Sequence, residues 1–378
     1  MTTSLLILGA SARAAAWSAL RAGLIPSAAD LFADRDLAAI ARCVRVESAN
    51  YPDGLFNAAM TFPPSPWVYT GALENRPDLV DRLAARRPLW GNSSAVLRRA
   101  RDPRNVAAIL REARLPFPEV RFDSTGLPRD GSWLRKPLAS AGGRGVITFD
   151  ADTRPTTRPV YYHRRIDGLS LSILFVSHVE GVFRVGITRQ LVGRPGEAFA
   201  YRGTIAPWPV SAAVVRQVEG FGQALAARLD LVGLFGVDFV LDDEGVAWPV
   251  EINPRYTASV EVIELACGLA LLDDHRRACV GEASRASEVR WNRVVAKEVI
   301  FAEANTVFLG VPSEAHSIDD LFRVPEVADV PDEGTAISAG EPVLTVFAEG
   351  ATAEEALELL DRRRGAWRDR LEGLEVGD

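Results

Sequence analysis

Between residues 236 and 255 the chain reads as two strand-like runs around an acidic turn. The first is Gly236-Val237-Asp238-Phe239-Val240-Leu241, the turn is Asp242-Asp243-Glu244-Gly245, and the second ends Val250-Glu251-Ile252-Asn253-Pro254-Arg255. β-Prone residues on either side of an Asp-rich turn closed by glycine specify an antiparallel hairpin. In a hairpin, alternate side chains share a face, so register decides which polar groups meet. If Leu241 pairs with Val246, Asp238 faces Pro249, Glu251 lies on the diagonal, and Asn253 is two further along the same face. Diagonal neighbours lie roughly 7–8 Å apart at Cα, close enough for two carboxylates to share a hard cation. The oxygens of Asp238, Glu251 and Asn253 beside Arg255 are the donor set of a Mg²⁺–triphosphate site. The competing reading is a solvated polar face. Against it, Glu251 and Asn253 are wedged among Val250, Ile252 and Pro254. A slip of one residue would carry Asp238 to the opposite face.

At 378 residues the chain is long enough for two or three subdomains around a large core. A net charge of −7 argues against broad binding to nucleic acid or an anionic membrane, though a local Lys/Arg cluster can still hold phosphates. Cys43, Cys267 and Cys279 are odd in number and show no CxxC spacing, so reduced thiols in a cytoplasm are expected. His163, His178, His275 and His316 lack zinc-like spacing, which leaves little basis for transition-metal or Cys/His nucleophile chemistry. No apolar run approaches transmembrane length. The apolar residues 5–8 are interrupted by Gly9 and follow no basic residue, so no secretory signal is expected.

Residues 4–8 read as a buried strand, residues 9–12 as a small-residue turn, and residues 13–22 as an Ala-rich helix; further strand-and-helix alternation implies an open α/β unit over about the first hundred residues. The turn lacks a full GxGxxG, and Arg13 stands in the region of the third glycine. Close packing of strand on helix is therefore preferred to dinucleotide binding. Residues 103–114 form an Arg-rich amphipathic helix, ended by Leu115-Pro116-Phe117-Pro118. Strands follow around residues 133–149, a loop over 150–159, and strands over 160–166, 169–176 and 183–190. Residues 211–229 are a helix with Val214, Val218, Phe221, Leu225 and Leu229 on one stripe. Residues 259–279 are mostly helical. From about residue 292 the pattern becomes β-rich, and Thr352 with Glu355 forms a capping box for a last helix burying Leu357, Leu360 and Trp367. Lys297-Glu298 reads as an exposed pair.

A second constellation begins at Trp133-Leu134-Arg135-Lys136-Pro137 and continues in Ser140-Ala141-Gly142-Gly143-Arg144-Gly145-Val146. Glycines let backbone N–H groups converge on an anion, Lys136 supplies a point charge, and Arg144 offers paired donors. No Gly-Lys-Ser/Thr opens a helix, so this is not a Walker A loop; a flap over a nucleotide and an ordinary glycine hairpin both fit.

Together these motifs resemble the ATP-grasp superfamily, and within it the predicted ATP-dependent carboligases related to biotin carboxylase, whose Gly-Ala-Ser-Ala-Arg-Ala-Ala-Ala turn is similar to residues 9–16. The resemblance covers most of the chain. It implies an α/β and α+β architecture: a Rossmann-like pre-ATP-grasp domain at residues 1–100, an ATP-grasp domain at 101–285, and a small β-rich C-terminal subdomain at 286–378. It implies that Asp238, Glu251 and Asn253 hold Mg²⁺, with Mn²⁺ as a substitute, and that Lys136 and Arg255 are the catalytic charges on the phosphates. Nucleotide contacts would come from Lys136, Ser140, Gly142, Gly143, Arg144, Gly145, His163, Arg165 and Ile166.

Three positions depart from the family pattern. Pro103 replaces a lysine, leaving Arg101 or Arg104 to substitute; His163 replaces the adenine-hinge acid; and the ribose-binding acid near Ser170 is absent, with Asp167 close by. His163 otherwise reads as a strand histidine with a satisfied hydrogen bond. Arg164 and Arg165 read as solvated strand charges or hinge residues. Arg184, Arg189, Arg194 and Arg202 are either surface arginines or a carboxylate-binding acceptor site. The implied reaction activates a small-molecule carboxylate with ATP as an acylphosphate, for attack by an amine or similar nucleophile. Alternatives are biotin-carboxylase-like bicarbonate activation, a non-catalytic nucleotide-binding regulator, and a Rossmann oxidoreductase. Expected partners are the two small molecules, with neither nucleic acid nor membrane, in a cytoplasmic protein compatible with a homodimer.

Overall fold

The computed structural model describes residues 3–284, 289–311 and 318–372. Strands β1 (Ser4–Leu8), β2 (Ile25–Asp30), β3 (Arg42–Arg45) and β4 (Trp67–Tyr69) form a parallel sheet in the order β3-β2-β1-β4. Leu5, Leu6, Ile7 and Leu8 are fully buried, as a parallel strand covered on both faces requires. Helix α1 (Arg13–Arg21) lays Ala15, Ala16 and Ala19 in the core beside this strand; α2 (Arg35–Ala38), α3 (Gly54–Met60), α4 (Pro77–Ala84) and α5 (Ser94–Ala100) complete the unit. The small-residue turn serves packing. A Cβ on Gly9 would lie 1.9 Å from Thr70 Oγ1, whose hydroxyl donates to Ser11 O at 2.9 Å.

Helix α6 (Pro103–Glu112) opens with Asp102, whose carboxylate accepts from the Arg104 N–H at 2.9 Å, and with proline at its first position. A small antiparallel sheet follows: β5 (Val120–Arg121), β6 (Asp130–Pro137), β7 (Ile147–Asp150) and β8 (Val160–Arg164), in the order β5-β8-β6-β7. Next come β9 (Leu169–His178), β10 (Gly181–Arg194), β11 (Glu197–Ala206), α7 (Ala212–Leu229), β12 (Gly233–Leu241), β13 (Ala247–Asn253), α8 (Ala258–Cys267) and α9 (Leu271–Cys279). Strand β11, which sequence patterning missed behind the Pro195-Gly196 turn, links the hairpin sheet to the C-terminal region.

The remaining strands are β14 (Val294–Phe301), β15 (Thr306–Val307), β16 (Val327–Ala328), β17 (Ala336–Ile337) and β18 (Pro342–Gly350), before α10 (Ala353–Glu372). Three of them extend one antiparallel eight-stranded sheet, β13-β12-β9-β10-β11-β14-β18-β16, while β15 and β17 pair separately. The β-rich C-terminal region is thus continuous with the central sheet. The division expected at residue 285, and His316, lie outside the described residues. The Glu355 N–H donates to Thr352 Oγ1 at 3.2 Å, and the Glu355 carboxylate accepts from the Ala351 N–H at 2.7 Å, closing the cap of α10.

Helix α7 packs Val214, Val218, Phe221, Leu225 and Leu229 in one core with Phe235, Val237 and Phe239 of β12. By the two-residue period of a strand, Gly236 and Asp238 then face the other side. On that side a row of cross-strand partners crosses the sheet: Glu251, Asp238, Ser172 and Thr188, then Gln190, Thr204 and Lys297. The expected exposure of Lys297 and Glu298 is overturned, because β14 is an interior strand. Lys297 Nζ donates to Glu261 at 2.8 Å, and Glu298 accepts from Arg202 and Arg364. Glu261 also receives the buried guanidinium of Arg13, which reaches Asp329 as well. That network joins the first helix, α8 and the C-terminal strands.

Candidate active site

The hairpin register differs from the simple expectation at two points. Leu241 pairs with Ala247 rather than Val246, because the loop takes in Val246, whose N–H is held by the Asp242 carboxylate at 2.7 Å. A bulge between Asp238 and Phe239 then sets Phe239 opposite Pro249 but Asp238 opposite Glu251. Proline has no N–H to give to the ladder and is tolerated at bulges and edges; β13 is an edge strand. The slip and the bulge each shift the pairing by one residue. Their sum is even, so Asp238 stays on the face of Glu251 and Asn253 and moves into direct opposition with Glu251.

Asn253 Nδ2 donates to Asp238 Oδ2 at 3.1 Å. Burial, then repulsion from Glu251, pushes Asp238 up to about 6. Burial also acts to raise Glu251, but Arg101 and Lys136 more than offset it and hold that carboxylate below its ordinary range. Two close carboxylates and an amide oxygen are all hard donors and fit Mg²⁺ better than a soft metal. Among the described residues there is no group of three or more His, Cys, Asp and Glu side chains placed to hold a metal.

Cations surround the pair. Lys136 Nζ donates to Val250 O at 3.0 Å. Arg101 Nη1 donates to Glu251 at 2.5 Å, and its Nη2 donates to Ser140 O at 2.8 Å and to Asn75 Oδ1 at 3.1 Å. Arg255 Nη2 donates to Glu74 at 2.7 Å and to Asn253 Oδ1 at 3.0 Å. Glu74 and Asn75 come from the N-terminal unit, and no motif announces them. Of the two arginines beside Pro103, Arg101 lines the cavity; Arg104 stacks on Phe122, 3.5 Å from its ring centre.

These groups share a cavity of about 460 Å³ with Ser140, Gly142, Gly143, His163, Arg165 and Ile166. The glycine loop is docked on β11. The Tyr201 N–H donates to Gly142 O at 2.9 Å, and a Cβ on Gly143, at φ +73°, would lie 1.9 Å from Phe199 O. Arg144 is exposed, and neither it nor Gly145 lines the cavity. His163 is 2% exposed, stands edge-on to Phe117 and Tyr161, and has no partner for either ring nitrogen among the described residues. Burial and nearby Lys136 hold its pKa well below the usual value, so the ring is neutral. The satisfied strand histidine expected from sequence is not found. Arg165 bonds Asp167 at 2.9 Å at the rim. The four arginines read as either surface arginines or an acceptor site each have a separate partner: Arg184 bonds Glu219, Arg194 bonds Glu197, Arg202 bonds Glu298, and Arg189 lies over Trp208.

Residues 100–259, which contain every one of these motifs, match the ATP-grasp domain family. This segment is an ATP-grasp domain. The chain is 27% identical over 309 residues to the carbamoyl phosphate synthase large chain of Thermomicrobium roseum, covering 71% of this chain and 28% of that one. It is 29% identical over 197 residues to the formate-dependent phosphoribosylglycinamide formyltransferase of Oleidesulfovibrio alaskensis, covering 50% and 48%. The chain thus spans less than half the length of these curated relatives. Its fold is similar to the L-amino acid ligase of Bacillus licheniformis, with a TM-score of 0.71 at 15% identity over 96% of this chain and 97% of that one. That likeness of fold extends beyond the matched segment to the flanking regions. No described helix is long and apolar enough to cross a membrane.

Proposed function

We propose that this protein is an ATP- and Mg²⁺-dependent ligase that activates a small-molecule carboxylate as an acylphosphate for attack by an amine or similar nucleophile. The observation that carries this reading is Asp238 opposite Glu251, facing Lys136, Arg101 and the docked glycine loop across one cavity. Asp238, Glu251 and Asn253 would hold the metal, which neutralises phosphate charge when bound. Lys136, Arg101 and Arg255 supply fixed positive charge for the triphosphate, and the Gly142–Gly143 backbone is placed to cover its end. His163, Ile166 and Phe117 form the base end of the cavity. Phosphoryl transfer needs positioning and charge stabilisation more than a protein nucleophile, and this cavity provides both.

In the first step a carboxylate oxygen attacks the γ-phosphorus, and the bond from that phosphorus to the bridging oxygen breaks as ADP leaves. In the second, the amine attacks the acyl carbon and inorganic phosphate departs. The substrates are small molecules. A cytoplasmic location accords with three free cysteines, and a homodimer remains part of the proposal.

The test follows ADP and phosphate release with Mg-ATP and pooled carboxylates and amines. The expected result is release that requires both substrate pools and is lost in Glu251→Gln. Tight nucleotide binding without turnover in any pool would instead favour a regulatory protein, and stimulation by bicarbonate alone would favour carboxylation.

A further inference from the structure

Nothing in the sequence marks Tyr201, yet it occupies the junction of the site. Its backbone N–H holds the glycine loop through Gly142 O at 2.9 Å, and a Cβ on Gly142 would lie 4.0 Å from Tyr201 Cβ. It lines the same cavity as Asp238, Ser172, Thr188, Gln190 and Thr204. The Tyr201 Oη is buried without a hydrogen-bond partner among the described residues. Its neighbours differ in this respect. Thr188 Oγ1 donates to Ser172 O at 3.5 Å, Thr204 Oγ1 donates to Arg189 O at 3.1 Å, and Thr257 and Ser259 bond each other at 2.7 Å. A buried hydroxyl with an unused proton is costly unless a ligand supplies the acceptor. Burial, then the carboxylates of Glu261, Asp238 and Asp329, holds the phenol above its ordinary pKa. It therefore stays protonated and acts as a donor.

Charge narrows the ligand. Every cation lining the cavity among the described residues is committed: Arg101, Arg165 and Arg255 are paired with Glu251, Asp167 and Glu74, and Lys136, held on the neutral Val250 carbonyl, is the charge assigned to the triphosphate. The lining also holds the hydroxyls of Ser172, Thr188 and Thr204, the Gln190 amide and the apolar Val192, Ala198 and Phe199. A second carboxylate on the acceptor would face Asp238 with no spare cation.

Resting on the ligase reading, we propose that Tyr201 binds the carboxyl group that receives the γ-phosphate, and that the acceptor is a monocarboxylate. Tyr201 Oη donates to the carboxylate oxygen that does not attack. The other oxygen forms the new bond to phosphorus, the electron pair of the broken bond leaves on ADP, and the phenol keeps its proton. The same donor then faces the acyl carbonyl oxygen of the acylphosphate.

The experiment runs the first step backwards with acetyl phosphate and Mg-ADP as probes, reading ATP by luminescence, and measures Mg-ADP affinity separately. Tyr201→Phe is expected to leave Mg-ADP affinity within about twofold, which also reports a folded cavity, while cutting kcat/KM for acetyl phosphate by roughly 10–100-fold, the effect of one buried hydrogen bond to a charged group. An unchanged kcat/KM overturns the proposal. So does a wild-type protein that binds Mg-ADP but makes no ATP from acetyl phosphate, or one whose ADP release from Mg-ATP responds to dicarboxylates alone. A wild-type protein that fails to bind Mg-ADP overturns the ligase reading itself, which separates the two failures.

Discussion

Glu261 is 1% exposed and carries two cations, accepting from Arg13 Nη2 at 3.1 Å and from Lys297 Nζ at 2.8 Å. Burial works to raise its pKa, and Arg13 and Lys297 overcome that to hold it far below the carboxylate range. Glu261→Gln keeps the shape and removes the charge. Arg13 retains Asp329 at 2.9 Å and Asp36 at 3.5 Å, so the group left stranded is the Lys297 ammonium. Removing one partner of a buried pair costs about 3–5 kcal/mol, and with Arg13 still neutralised the lower end, about 3 kcal/mol, is expected. At roughly 2.1 cal/mol/K per residue, 378 residues give an unfolding entropy of about 0.8 kcal/mol/K, so Tm should fall by about 4 °C. Urea and thermal melts read both numbers. Adding Lys297→Met to Glu261→Gln removes the stranded charge and should return about 1–3 kcal/mol through coupling. A single variant within about 0.5 kcal/mol of wild type, or a double variant no better than the single, would refute the assignment of this network as a structural joint.

Gly143→Ala places a Cβ on Phe199 O at a left-handed φ, so the loop must lift from β11; an affinity for Mg-ATP about 10–30-fold weaker, with little change in Tm, is expected by titration. His275 is buried and its pKa is pushed down to about 4, chiefly by burial, against 6.5 in the unfolded chain. The folded state then binds fewer protons, so its contribution is complete above about pH 6.5 and lost as pH falls towards 4. Roughly 3 kcal/mol disappears across that window, and His275→Asn should flatten this part of the stability–pH curve measured by urea melts. Trp367→Ala empties a site 7% exposed under α10 and should cost about 3–5 kcal/mol in the same assay; a loss below about 1 kcal/mol would mean the helix is not anchored there.

The hairpin and the glycine loop were legible because their chemistry is local: alternation, turn residues and a lysine at a strand end. The pairing of Asp238 with Glu251 was not, since it depends on a loop that absorbs Val246 and on a bulge beside Pro249 that alternation does not encode. Arg13, Glu74, Asn75 and Lys297 act through partners that are far away in sequence, so their spacing carries no signal. Lys297 was misjudged for a general reason: a charged residue in a strand looks solvated until the strand is known to be interior. Tyr201 lies in β11, the strand hidden behind the Pro195-Gly196 turn, and its unused hydroxyl is visible only in three dimensions.

The bulge at Pro249 has a second consequence, for the solubility of the chain. Two of the candidate metal ligands, Glu251 and Asn253, sit on the edge strand of an eight-stranded sheet, where an unpaired strand is a template for another molecule's backbone. A proline with no N–H, next to a locally kinked ladder, makes β13 a poor template, and the opposite margin is only the two-residue β16. The irregularity that brings two carboxylates together thus also discourages edge-to-edge aggregation. A regularised β13, with a β-branched residue in place of Pro249, would lose both properties at once.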